Sequence, residues 1–131
     1  MDEIYIKMCV AAQDDLRRNW TPKVNDRVLT RWNSDKNKLE IDYYSKDFVT
    51  KKASVLLHHR TDVWLPRQED LQQIWLDKIN ENIWFLFRDF GDYIQPCWEN
   101  SANESFNTIW LCFVMETCYN KRWNGETWEM L

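Results

Sequence analysis

The sequence predicts an α+β fold, with an N-terminal helix, a three- to four-stranded antiparallel meander, and a C-terminal set of two to three helices packed on the sheet. Three observations carry this expectation. Apolar residues recur every three to four positions near the start and through the second half, as on one face of a helix. Between Arg27 and Tyr44 they alternate with polar ones, as on a half-buried strand. Only two Gly and three Pro occur in 131 residues, which leaves little room for linkers, so 1–131 reads as a single domain.

Residues 1–20 are expected to be helical, because Ile4, Met8, Ala12 and Leu16 recur at i+4 from Glu3 to Arg18, with Tyr5 and Cys9 widening the stripe. Trp20-Thr21-Pro22 stops the helix, since the proline ring crowds the residue before it into an extended conformation. Strands are expected over 21–65. The first, Arg27 to Trp32, sets Val28, Thr30 and Trp32 on one face. After a turn at Asn33-Ser34-Asp35-Lys36-Asn37, Leu39 to Tyr44 follows with Leu39, Ile41 and Tyr43 inward. Its outward Glu40 and Asp42 are placed to pair with Arg27 and Arg31. Ala53 to Arg60 reads as a third strand, and Val63-Trp64-Leu65 as a fourth or an extended lead-in.

Helices are expected over 66–120. Pro66 suits a first helical position, and Leu71, Ile74, Trp75 and Ile79 form its stripe. Asn80-Glu81-Asn82 loosens the pattern, leaving open one kinked helix or two. Ile83, Trp84, Leu86, Phe87 and Phe90 then form a broad apolar face that Gly91 can end as a left-handed cap. Ser101-Ala102-Asn103-Glu104 reads as a capping box ahead of Phe106, Ile109, Trp110, Phe113 and Val114, with Lys121 and Arg122 suited to the helix C-terminus. The tail, 121–131, carries Asn124-Gly125 as a tight turn between Trp123 and Trp128 that folds it back on the body.

Charge is segregated. Residues 21–60 hold nine basic and five acidic groups, whereas 61–131 hold five and twelve, so a basic strand region adjoins acidic helices within a chain of net charge −4. The longest apolar run, Ile109 to Met115, is seven residues, far below the roughly 20 of a membrane-spanning helix. The acidic start, Met1-Asp2-Glu3-Ile4, lacks the basic and apolar regions of a secretory signal, and a cytoplasmic location is expected. Cys9, Cys97, Cys112 and Cys118 have scattered spacings and read as small buried hydrophobes.

Catalytic signatures are lacking. Gly91 and Gly125 stand alone, so no glycine-rich loop exists to cradle phosphate. His58 and His59 are neighbours on an expected strand and point to opposite faces, which prevents them from sharing a metal. Pairs such as Glu69-Asp70 and Asp89 with Asp92 read as solvated or capping groups. The expectation is a non-enzymatic chain without a cofactor.

Nine Trp exceed what a core of this size requires. Trp75, Trp84 and Trp110 fall on helical stripes and are assigned to the core. Trp32, Trp64, Trp98, Trp123 and Trp128 fall at strand ends, turns or the tail and are candidates for exposure, where an indole can anchor an interface or stack on a base. Two candidate sites follow. Asp89, Asp92, Trp98, Glu99, Trp123 and Trp128 suit a protein partner, and Arg27, Arg31, Trp32, His58, Arg60 and Trp64 suit a phosphate-bearing nucleotide. Overall acidity argues against nucleic acid as a partner, while a homo-oligomer is compatible with the aromatic tail.

Three stretches resemble small uncharacterised proteins encoded by phages and prophages of Gram-positive bacteria. They are Trp64-Leu65-Pro66-Arg67-Gln68-Glu69-Asp70-Leu71-Gln72, the run Ile109 to Met115 followed by Tyr119-Asn120-Lys121-Arg122-Trp123-Asn124-Gly125 and Trp128, and Trp20-Thr21-Pro22-Lys23-Val24-Asn25-Asp26. In the last, Asn25 stands where the family pattern has Gly, which fits a left-handed Asn or a changed turn. The resemblance implies a mobile-element origin, where small accessory proteins commonly bind and block a host defence component. The expectation it adds is a phage accessory protein that inhibits a bacterial immune protein by contact, with sequestration of a nucleotide signal as the alternative and a structural or regulatory phage role as a third.

Overall fold

The computed structural model describes residues 3–30, 40–45, 62–95 and 105–131, which divide into two units, one of residues 12–66 and one of residues 1–11 with 67–131. The order of elements is the α+β one expected: an N-terminal helix, a small antiparallel sheet, then helices. The N-terminal helix is shorter than its periodicity suggested. Helix α1 spans Glu3–Ala11, the backbone leaves helical geometry at Ala12 (φ −96°, ψ 4°), and α2 resumes over Gln13–Leu16 before a 3-10 turn at Arg17–Asn19. Tyr5, Met8 and Cys9 are buried as the stripe requires, but Ile4 is exposed.

In the unit of residues 12–66, β1 (Arg27–Thr30) is the middle strand, flanked by β2 (Glu40–Tyr43) and β3 (Val63–Trp64), both antiparallel to it. The last strand therefore returns to pair with the first. Because successive side chains point to opposite faces, burial of both Val28 and Leu29 means that both faces of β1 are covered. Strand β2 differs from expectation, since Ile41 and Tyr43 are exposed. It sits at the edge of the described sheet, and the ring that reaches the core is Tyr44, one residue beyond it. The register sets Arg27 opposite Tyr43 and Val28 opposite Asp42, so the expected pairing of Arg27 with Glu40 or Asp42 is not made. The expected turn Asn33–Asn37 and third strand Ala53–Arg60 lie outside the described residues.

In the other unit, α3 (Gln68–Ile79) begins two residues later than Pro66 predicted. Arg67 is the extended cap residue, its N–H donates to the Asp70 carboxylate at 2.8 Å, and Pro66 sits just ahead of it. Asn80, in the left-handed conformation (φ 58°), ends α3, and the Asn82 side chain accepts from the N–H groups of Trp84 and Phe85 to start α4 (Ile83–Ile94). Two helices therefore replace the open choice. Gly91 does not end α4. The helix runs three residues on, because Tyr93 continues the inward stripe of Leu86 and Phe90 and packs on Phe113 at 5.4 Å.

Helix α5 (Phe106–Tyr119) starts from Ser105, whose hydroxyl accepts from the Thr108 N–H, rather than from the expected box at Ser101, and residues 101–104 lie outside the described set. Trp110, Leu111, Phe113, Val114 and Met115 are all buried, which explains the unbroken apolar run. Phe113 is the hub, with ring centroids of Trp75, Phe90, Tyr93 and Trp110 between 5.3 and 6.2 Å away, while Phe90 and Trp110 stack at 3.7 Å. After left-handed Asn120, the expected tight turn forms the hairpin of β4 (Lys121–Trp123) and β5 (Trp128–Met130), with Trp123 opposite Trp128. The Asn124 side chain accepts from the N–H groups of Glu126 and Thr127, and Gly125 supplies the positive φ of 101°.

Candidate functional site

Helix α4 opens on a run of large apolar residues. Ile83 to Phe87 are five consecutive large apolar residues, and at roughly 100° per residue they cannot all face one way. Leu86 and Phe90 take the inner side. Trp84, assigned to the core on its periodicity, is 79% exposed, with Phe87 at 52% and Ile83 at 50%. Phe106 sits edge-on to Phe90 at 6.2 Å and is itself 51% exposed, and Ile79, near the end of α3, adds a further 37%. The result is an aromatic ridge along one helix.

The segment around it is net acidic, although the charged residue next to Trp84 on the helix is Arg88, with Asp92 beyond it and Asp89 turned away from Phe87. Residues 68–95 contain six Asp or Glu and two Lys or Arg. Glu81 and Asp92 are exposed, and Asp89 is half-buried with an Arg88 contact at 3.3 Å. The Arg88 guanidinium also lies over the Phe85 ring at 4.5 Å. An apolar ridge in a net acidic segment can bury its rings in a partner's groove while the segment's charge favours a partner with cationic groups around that groove.

Of the residues proposed for a protein partner, Asp89 and Asp92 lie on this helix, Trp98 and Glu99 fall outside the described residues, and Trp123 and Trp128 belong to the hairpin. The two hairpin rings are half-buried, 5.2 Å apart, and the Trp128 indole N–H donates to the Met8 carbonyl at 3.0 Å. Met8 is in the last turn of α1, so this bond ties the hairpin to that helix. Arg122 clamps Glu116 through two N–H groups at 3.0 and 3.1 Å, and the Tyr93 hydroxyl donates to the other oxygen of the same carboxylate. The hairpin is therefore built into its unit, as the folded-back tail required.

Of the six residues proposed for a nucleotide, Arg27 and Trp64 are among the described residues. Trp64 is only 4% exposed and stacks on Trp20 at 5.5 Å, with Trp20 also stacked on Tyr44 at 5.8 Å. Arg27 donates to the carbonyls of Leu65 and Pro66 at 3.3 and 3.0 Å, which commits its guanidinium to holding β3. Arg31, Trp32, His58 and Arg60 lie outside the described residues. What the stretch from Trp20 to Asp26 builds is a structural turn: the Trp20 indole and the Lys23 N–H both donate to one Asp26 oxygen at 2.9 and 2.8 Å, and Asn25 is left-handed at φ 69°. Gln13 completes this core, its amide exchanging two 3.0 Å hydrogen bonds with the peptide of Trp64 as a strand neighbour would.

Comparison with protein-family models, curated proteins and solved structures gives no match to this chain. Among the described residues no three His, Cys, Asp or Glu converge to hold a metal, and no helix is long and apolar enough to cross a membrane. Cys9 is buried as expected, whereas Cys112 and Cys118 are half-buried, and burial pushes the Cys118 thiol up, away from the reactive thiolate.

Tyr44 has the clearest titration signature. It is buried and donates to the Asp62 carboxylate at 2.7 Å, and burial first, then that hydrogen bond, push its pKa well above the ordinary phenol value. A folded pKa above the unfolded one means that the folded state keeps a proton the unfolded state releases, so stability falls as pH rises past about 10. In an alkaline absorbance titration, the difference between wild type and Tyr44→Phe should show no phenolate step near pH ~10, only one coincident with unfolding. A reversible native step there would contradict the buried hydrogen bond.

Proposed function

We propose that this chain is a non-enzymatic phage accessory protein that inhibits a bacterial immune component by binding it, with the outer face of α4 as the contact surface. The observation that carries the reading is the ridge of Ile83, Trp84 and Phe87 held out from a helix in a net acidic segment. Trp is the residue most enriched at binding hot spots, because it buries a large area with few rotors to freeze. The resemblance of the Trp20, Trp64 and Ile109 stretches to phage and prophage proteins supports the inhibitory role, and the charge segregation supports a partner with a basic rim.

Co-expression with a panel of anti-phage defence systems, scored by phage plating, tests this. One system should be relieved by the wild-type chain. The double change Asp89→Lys with Asp92→Lys should reduce that relief by at least about tenfold, as expected for reversed charges at a contact rim, while the melting temperature holds because exposed ion pairs contribute about 0–1 kcal/mol. Relief of no system, or full relief by the double variant, would count against the reading.

A further inference from the structure

From the geometry of α4 we infer that its outer face also pairs with a second copy of this chain, so that self-association masks the surface assigned above to a target. The inference rests on that reading of α4 as a contact face. Its first support is area. With large aromatic side chains presenting about 150–250 Å² each, the exposed portions of Ile79, Ile83, Trp84, Phe87 and Phe106 amount to roughly 500 Å². That is near the top of the roughly 300–600 Å² that monomers leave open, and it approaches the ~800 Å² that each partner buries in a standard interface once flanking polar atoms are counted.

The second support is shape. Gly91 follows Trp84 by seven residues, two helical turns, and therefore lies on the same line along the helix. A Cβ built on Gly91 would meet nothing within 4 Å. One line on one helix thus carries a large knob and, two turns away, a gap. An antiparallel two-fold pairing centred between Phe87 and Arg88 places each Trp84 over the other copy's Gly91 and brings the two Phe87 rings together. This is the self-complementarity that a closed dimer demands of a single patch. Gly inside an exposed helix weakens it relative to other residues, and close approach of a second helix gives that cost a use.

Electrostatics separate this occupant from a basic target. Residues 68–95 carry six acidic and two basic groups in each copy, so added salt should tighten self-association by screening the repulsion between like net charges and weaken the capture of a basic partner.

Analytical ultracentrifugation of the purified full chain tests the pairing directly. The wild type should move from monomer to dimer below about 0.1 mM, with the transition at lower protein concentration in high salt. Trp84→Glu should stay monomeric, and Gly91→Gln should weaken the dimer by at least about tenfold while its melting temperature stays level or rises, because Gln is the better helix former. The opposite signs of the two Gly91→Gln effects exclude misfolding as the cause. A wild type that remains monomeric to about 0.5 mM, or a dimer indifferent to both substitutions, overturns the pairing whatever the plating assay shows. A dimer that responds as stated in a chain that relieves no defence system upholds the pairing and removes the target.

Discussion

Phe113→Ala should cost the helical unit about 3–5 kcal/mol, the range for deleting a fully buried aromatic ring. Phe113 sits in the middle of α5, and its ring is shared by Trp75 of α3, Phe90 and Tyr93 of α4, and Trp110 of its own helix. Four rings lose a neighbour at once, and rigid aromatics close poorly around the space left, which places the loss toward the upper end. Chemical denaturation followed by tryptophan fluorescence checks it, since Trp75 and Trp110 line the cavity. A loss under about 1 kcal/mol would mean that the aromatic cluster is not the core of the unit.

Truncation after Asn120 should destabilise the same unit by about 2–4 kcal/mol. Three things go together: the apolar area of Trp123 and Trp128, the indole hydrogen bond to Met8, and the Arg122 clamp on Glu116. The last matters because Glu116 is largely buried and its carboxylate is held, among the described residues, by Arg122 and the Tyr93 hydroxyl. Differential scanning calorimetry reads the loss. A truncated chain that keeps its melting temperature but no longer relieves defence would place the hairpin at the contact surface instead of in the fold.

Elements were legible where local chemistry and packing agree. The continuous apolar run of α5 and the Asn124-Gly125 turn each hold a residue type with a direct geometric use, whereas the cap at Asn82 was read only as a loosening of the pattern. Boundaries moved where tertiary contacts outvote local signals: α4 passes Gly91 because Tyr93 still has Phe113 to pack on, and α1 breaks at Ala12 although its stripe continues.

The candidate site was harder to read. Trp84 and Trp64 exchanged the places assigned to them, because periodicity marks a ring as apolar without saying which of two apolar sides is covered. For α4 the signal was present in Ile83 to Phe87, since five apolar residues in succession must wrap the helix. For Trp64 no local pattern pointed to burial. It depends on Trp20, Gln13 and Arg27, all distant in sequence and each using its side chain on the same short strand.

Trp84→Glu, assayed beside the wild type for melting temperature and for relief of the responsive defence system, tests the contact role of α4 most directly. Trp84 is largely exposed, so its melting temperature should stay within about 2 °C of the wild type, as for other surface substitutions, while relief should fall by at least about a hundredfold, the loss of a hot-spot anchor. Undiminished relief at an unchanged melting temperature would contradict the assignment of this face to partner binding.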